Sequence, residues 1–171
     1  AIADQYESAH GSLLVNLREI GQEYRDTIVR SEIHERRGTV AEVDDSLEGQ
    51  LEAAIAVELA ATIAIPPMFR VSDPEGAPFD LIYYPQNQPR LGEAKGFRHP
   101  RPDLWVPTRQ PLSADIYICG RYDDDSELVE LVGWATREQV ADAPKVWESW
   151  MKTRNRVIDF DDLLDITELL D

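Results

Sequence analysis

The chain has 171 residues, enough for one domain with a proper core, and its composition is globular, 43% hydrophobic and 29% charged. A net charge of −16 and a pI near 4.5 give a surface that repels nucleic acid at low salt. No apolar run is long enough to span a membrane, residues 1–10 carry no leader pattern, and the lone Cys119 excludes an internal disulfide, so a cytoplasmic protein without a membrane partner is expected.

The spacing predicts a helix over residues 4–30, where Leu13, Leu17, Ile20, Tyr24 and Ile28 recur at threes and fours, weakened by Gly11 and Gly21. Residues 31–45 are polar and read as a loop or short strand. Ser46 opens a second helix with Leu47, Leu51, Ile55, Leu59 and Thr62 on one stripe, and Pro66-Pro67 ends it. Strands are predicted at 69–72, 79–84, 90–97, 115–121 and 128–135. The turn-rich pieces DPEGAP, PQNQP, HPRPDLWVPTRQP and YDDDSE separate them.

Thr136 is expected to cap a short helix over 136–141. Trp147 and Trp150 stand three apart on a predicted helix and read as core or interface residues. The tail from Asp159 to Leu170 reads as a last amphipathic helix. Helices, then strands, then helices imply one α/β domain, a central mixed four- to five-stranded sheet flanked by helices. Cys119, in the apolar run ADIYIC, is expected to be a buried, inert thiol.

Charge is unevenly distributed. The lysines are Lys95, Lys145 and Lys152 alone, against fourteen arginines. Acid excess with so few lysines resembles proteins of salt-accumulating halophiles, such as halophilic archaea and their viruses. Near-molar salt would screen the repulsion over about 3 Å. Two windows reverse the sign. Residues 90–109 hold Arg90, Lys95, Arg98, Arg101 and Arg109 against Glu93 and Asp103. Residues 145–156 hold Lys145, Lys152, Arg154 and Arg156 against Glu148. Basic islands in an acidic chain are candidate phosphate contacts.

Asp80 is followed by Glu93-Ala94-Lys95 on the next predicted strand. Period-two alternation puts Glu93 and Lys95 on one sheet face. Two carboxylates with an ammonium beside them suit metal-assisted phosphodiester cleavage: the acids hold a divalent cation and the lysine stands beside the attacking water. A third acid is sought on the second helix. Glu58 lies about 20° from Leu51 on the helical wheel, on the apolar stripe, whereas Glu52 and Glu48 lean about 100° and about 60° away. A glutamate inside AAIAVELAATIAI is costly to bury unless paired or metal-bound. Glu58 is therefore favoured, with Glu52 and then Glu48 behind it.

These residues resemble the PD-(D/E)XK nuclease superfamily over roughly residues 46–141. The matching order is an acid-bearing helix, the Pro78-Phe79-Asp80 strand, the Glu93-Ala94-Lys95 strand, a strand at Ala114-Asp115-Ile116-Tyr117, and Leu131-Val132-Gly133-Trp134 ahead of a helix. Pro78 stands two positions before Asp80, where the family name implies adjacency. The resemblance implies a restriction-endonuclease-like fold, Mg²⁺ or Mn²⁺ as cofactor and DNA as substrate. It implies metal ligation by Asp80, Glu93, the Ala94 carbonyl and Glu58, with Lys95 acting on water or on transition-state charge. Arg98, His99 and Arg101 become candidate phosphate contacts, and a homodimer that cuts both strands is compatible. Gln110 and Tyr117 are weaker candidates for the cleft.

As isolated features, Asp80 could be a turn acid and Glu93–Lys95 an exposed charge pair. The histidines and Cys119 lack zinc spacing. Two other readings stay open: a non-catalytic acidic DNA mimic, and a nuclease fold kept only for binding.

Overall fold

The computed structural model describes residues 12–21, 25–30, 45–65, 68–71, 80–97, 103–149, 151 and 153–170. In chain order the strands are β1 (Leu13–Asn16), β2 (Met68–Arg70), β3 (Leu81–Tyr83), β4 (Arg90–Phe97), β5 (Leu104–Pro107), β6 (Ile116–Asp123), β7 (Leu128–Thr136), β8 (Lys145–Val146) and β9 (Asn155–Ile158). The helices are α1 (25–30), α2 (Asp45–Ala64) and α3 (Arg137–Asp142). Six strands form one sheet in the order β1-β7-β6-β4-β3-β2, and three form a second in the order β5-β9-β8. The larger sheet is mixed: β4 and β6 run parallel and the other neighbours antiparallel.

Alternation along β4 explains the layers. Gly92, Ala94 and Gly96 face α2, while Glu93, Lys95 and Phe97 face the other way. The α2 side is a core of Ala53, Ile55, Ala56, Val57, Leu81, Ile116, Ile118 and Leu131. Full burial of each large aliphatic contributes about 1.5–3 kcal/mol. The helix lies close because the strand offers it almost no side chain. A Cβ on Gly96 would fall 2.4 Å from the Ala53 carbonyl oxygen, and one on Gly120 would fall 2.6 Å from the Val57 side chain. The opposite face is covered by the small sheet. Leu104, Val106 and Ile158 from it pack with Tyr117, Cys119, Val132 and Ala135. The Arg121–Glu130 ion pair is buried on this side, with both residues opposite each other on β6 and β7.

The α/β expectation with a mixed sheet holds, but among the described residues the strands number six plus three, not four or five. The second face is covered by the small sheet together with α3, whose Val140 joins the same buried cluster. The first predicted helix is replaced by β1, a 3-10 turn at Leu17–Ile20 and the short α1. Val15 and Leu17 are buried at period two, while Leu13, Leu17 and Ile20 also fit a helical stripe by coincidence. Gly21, at φ 83, ends the turn in a conformation other residues resist. Residues 4–11 and 22–24 lie outside the described residues.

The predicted tail helix is two 3-10 turns, Phe160–Asp162 and Ile166–Leu169, joined by a bridge from Leu164 to Trp134. Leu163, Ile166 and Leu169 are buried every third residue, the period of a 3-10 helix. Asp165 accepts from the Thr167 N–H, the local bond by which aspartates compete with helix. The stretch around Trp147 is no helix either: β8 ends at Val146 and Trp147 is exposed.

Strand β5 lies inside the proline-rich piece read as a loop. Its prolines sit at the strand end or outside it, where a missing N–H is tolerated. Other expectations stand. Strand β4 has the predicted bounds. Thr136 caps α3 in a capping box with Gln139. Cys119 is free and buried, and burial pushes its thiol pKa up. Among the described residues, no helix is long and apolar enough to cross a membrane.

Candidate active site

Three elements converge on one spot: the start of β3, the middle of β4 and the turn after β5. Asp80 stands just before β3, and its N–H donates to the Gly92 carbonyl at 2.9 Å. Its Oδ2 accepts from the Ala94 N–H at 3.2 Å, taking the place of a ladder carbonyl. A strand residue's N–H and C=O face the same neighbour. The Ala94 carbonyl is therefore directed to the Asp80 edge as well.

Burial first, and the Glu93 charge second, raise the Asp80 pKa from 3.8 to about 6; the Ala94 N–H, Lys95 and Arg70 oppose the rise. Asp80 and Glu93 are thus near enough to repel each other, in a setting that penalises charge.

Glu93 and Lys95 share a face, as predicted, and form an ion pair at 3.1 Å with side chains only 12% and 21% exposed. Gln110, in the turn after β5, ties them together. Its Nε2 donates to both Glu93 oxygens at 2.6 Å, and its Oε1 accepts from Lys95 Nζ at 2.9 Å. A nitrogen equidistant from both oxygens of a carboxylate takes the position of a bidentate cation. Tyr117 is the cross-strand neighbour of Glu93. Its burial and the Glu93 charge raise its pKa, with Arg137 and Arg156 near enough to lower it. Asp115 braces the parallel pair: it accepts from the Leu91 N–H and is ion-paired to Arg137 on α3.

Glu58 faces the sheet, as its place on the stripe predicted, and is 6% exposed. Its Oε1 lies 3.0 Å from Arg70 Nε. Arg70 is opposite Leu81, on the α2 side of the sheet, whereas Glu93 and Lys95 project from the other side. The structure therefore joins Glu58 to Arg70 and not to the Asp80–Glu93 pair. Glu52 lines a separate small cleft with Arg25, Asp26 and Tyr122. The side chain of Glu48 lies outside the described residues, as do Arg98, His99, Arg101, Pro78 and Phe79. Among the described residues, no three His, Cys, Asp or Glu side chains stand together closely enough to hold an ion.

Gln110 and Tyr117 were legible only as weaker candidates. No spacing rule connects a turn glutamine to a strand fifteen residues earlier. One signal was available: the small residues Gly92, Ala94 and Gly96 alternate with Glu93 and Lys95, which marks a strand with a tightly covered back and a polar front. Comparison of the chain with protein-family models, with curated proteins and with solved structures found no significant match.

Proposed function

We propose that the chain is a divalent-metal-dependent nuclease that hydrolyses DNA phosphodiester bonds. The observation that carries the reading is that Asp80 is bonded to the Ala94 N–H at 3.2 Å, between the ion-paired Glu93 and Lys95 on the same strand. Two acids that repel each other in a partly dry setting form a place a cation would relieve. Mg²⁺ is commonly held by only one or two carboxylates, with waters and substrate phosphate filling the other positions. Asp80, Glu93 and the Ala94 carbonyl fit that requirement without a third acid. The order α2, β3, β4, β6, β7, α3 is also the order that the resemblance to PD-(D/E)XK nucleases calls for, within a restriction-endonuclease-like core.

When bound, the ion would acidify a water and offset charge building on the phosphate. Lys95 would donate to that water or to a phosphate oxygen from a position set by Gln110 and Glu93. The Gln110 amide would have to leave the Glu93 oxygens as an ion arrives, which rotation of its side chain allows. Tyr117 closes the floor behind Glu93 and keeps water from that side.

The test is cleavage of supercoiled plasmid at high KCl with Mg²⁺ or Mn²⁺, against EDTA. Lys95→Ala should reduce the rate by roughly 10²–10³, the usual loss for one preorganised donor, and Asp80→Asn should abolish metal dependence. Nicking that survives Lys95→Ala points to a contaminant. No nicking in any salt or metal favours an acidic DNA mimic or a nuclease fold that only binds.

A further inference from the structure

The packed face of the small sheet carries a cation. Arg156 on β9 is directly opposite Val106 on β5, and Ile158, two residues further along β9, is opposite Leu104. Leu104, Val106 and Ile158 are buried with Tyr117, Cys119 and Val132 of the larger sheet. Alternation therefore sends the Arg156 side chain inward, between the sheets, on the same face as these three.

A hydrogen bond then sets its course. Nη1 donates to the Thr108 carbonyl at 3.1 Å. Thr108 is the first residue past β5 and stands two before Gln110, whose amide bonds both Glu93 and Lys95. The guanidinium thus lies along the turn that reaches the acid–lysine pair. Tyr117, the cross-strand neighbour of Glu93, stands near both charges. Burial first and Glu93 second raise its pKa, while Arg137 and Arg156 lower it.

Arg156 is incompletely satisfied there. Its Nε is buried without a partner, and among the described residues Nη2 has no acceptor either. Those two nitrogens form the fork by which an arginine takes two oxygens of one anion. A buried donor left without an acceptor costs about 1–3 kcal/mol. Among the described residues, no carboxylate stands within ion-pair distance of Arg156. The residue opposite it on β8 is Lys145, a second cation. In a chain of 33 acids against 17 lysines and arginines, a half-buried arginine that meets none of them is set apart for an anion from outside.

We propose that Arg156 is a phosphate-binding residue, its Nε–Nη2 fork taking two oxygens of the phosphate group whose ester bond is cut. Arg156 and Lys95 both keep part of their surface in solvent, so an arriving phosphate can meet them. The Thr108 bond orients the fork beforehand, which lowers the ordering cost of binding. The proposal rests on the nuclease reading only in naming the cut ester; the anion site itself needs neither metal nor reaction.

Binding is measured without metal, in EDTA, by calorimetric titration of the full chain with inorganic phosphate at constant high KCl. The parent should give a saturable isotherm. Arg156→Gln should weaken binding roughly 10- to 150-fold, the loss expected for bonds to a charged group. Arg156→Lys keeps the charge but not the fork and should recover only part of the affinity. Arg30→Gln, on α1, should bind like the parent. Circular dichroism at high KCl checks that each variant folds. Should Arg156→Gln fail to fold, Arg156→Lys carries the test, and affinity equal to the parent's overturns the site. In the nicking assay, kcat/KM of Arg156→Gln should fall by a similar factor.

No saturable binding by the parent, or binding that Arg156→Gln leaves unchanged, overturns the site whether or not the chain cuts DNA. Nicking unchanged in Arg156→Gln overturns the contact with the cut ester. Arg156-dependent phosphate binding in a chain that never nicks plasmid upholds the anion site while the nuclease reading fails.

Discussion

Replacing Asp80 with asparagine isolates what it costs to keep a charge at that position. Burial and Glu93 raise its pKa from 3.8 to about 6. A gap of about 2 on the pH scale is worth about 3 kcal/mol. The folded chain holds this proton more tightly than the unfolded chain does. The resulting advantage is intact below the unfolded value and is lost as pH rises through about 6. Asp80→Asn keeps an oxygen for the Ala94 N–H and never ionises, so it escapes that loss.

The variant should exceed the parent in stability by about 3 kcal/mol at pH 8, and by only about 1 kcal/mol at pH 4.5. Chemical denaturation at constant high KCl, followed by circular dichroism, reads both. Equal or lower stability of the variant at pH 8, or a gap that does not shrink in acid, refutes the reasoning. Mg²⁺ supplies a second arm. At ten times its dissociation constant it should stabilise the parent by about 1.4 kcal/mol and the variant hardly at all.

Gly96→Ala should lower the thermal midpoint by about 5 °C or more, since a methyl 2.4 Å from the Ala53 carbonyl forces two backbones apart. Arg70→Ala should destabilise by about 1–3 kcal/mol in denaturant because it removes a guanidinium that stands 3.0 Å from the buried Glu58 carboxylate, and adding Glu58→Gln should return part of that loss. Gln110→Ala removes donors from Glu93 and an acceptor from Lys95 and should cost about 1.5–3 kcal/mol by the same assay. Dialysis from near-molar KCl into dilute buffer should reduce the far-ultraviolet circular dichroism; an unchanged spectrum sinks the halophile reading.

What could be read from the sequence was what local chemistry decides. Strand β4 announces itself through alternation of charged and tiny residues, α3 through Thr136 and Gln139, and the end of α2 through paired prolines. The Glu93–Lys95 pairing followed from period two alone. Readings failed where one pattern served two geometries. Leu13 and Leu17 satisfy both a helix stripe and a strand bordered by a turn, and only pairing with β7 decides between them. In the tail, period three and local aspartate bonds won over helix propensity. The partner of Glu58 was out of reach, because a wheel projection tells which side faces a sheet but not which residue waits there. Gln110 was out of reach for a related reason: its role depends on how β5 docks, a long-range fact.

Parallel pairing of β4 with β6 has a further consequence. A chain that leaves one strand at Phe97 must travel back along the sheet before re-entering at Ile116. That detour cannot be deleted, yet nothing in the ladder dictates its length or its contents. Here it carries β5 and the glutamine that grips the acid–lysine couple. Evolution, or an engineer, could therefore graft new segments between the two strands and alter what reaches Glu93 and Lys95 while the scaffold beneath stays as it is.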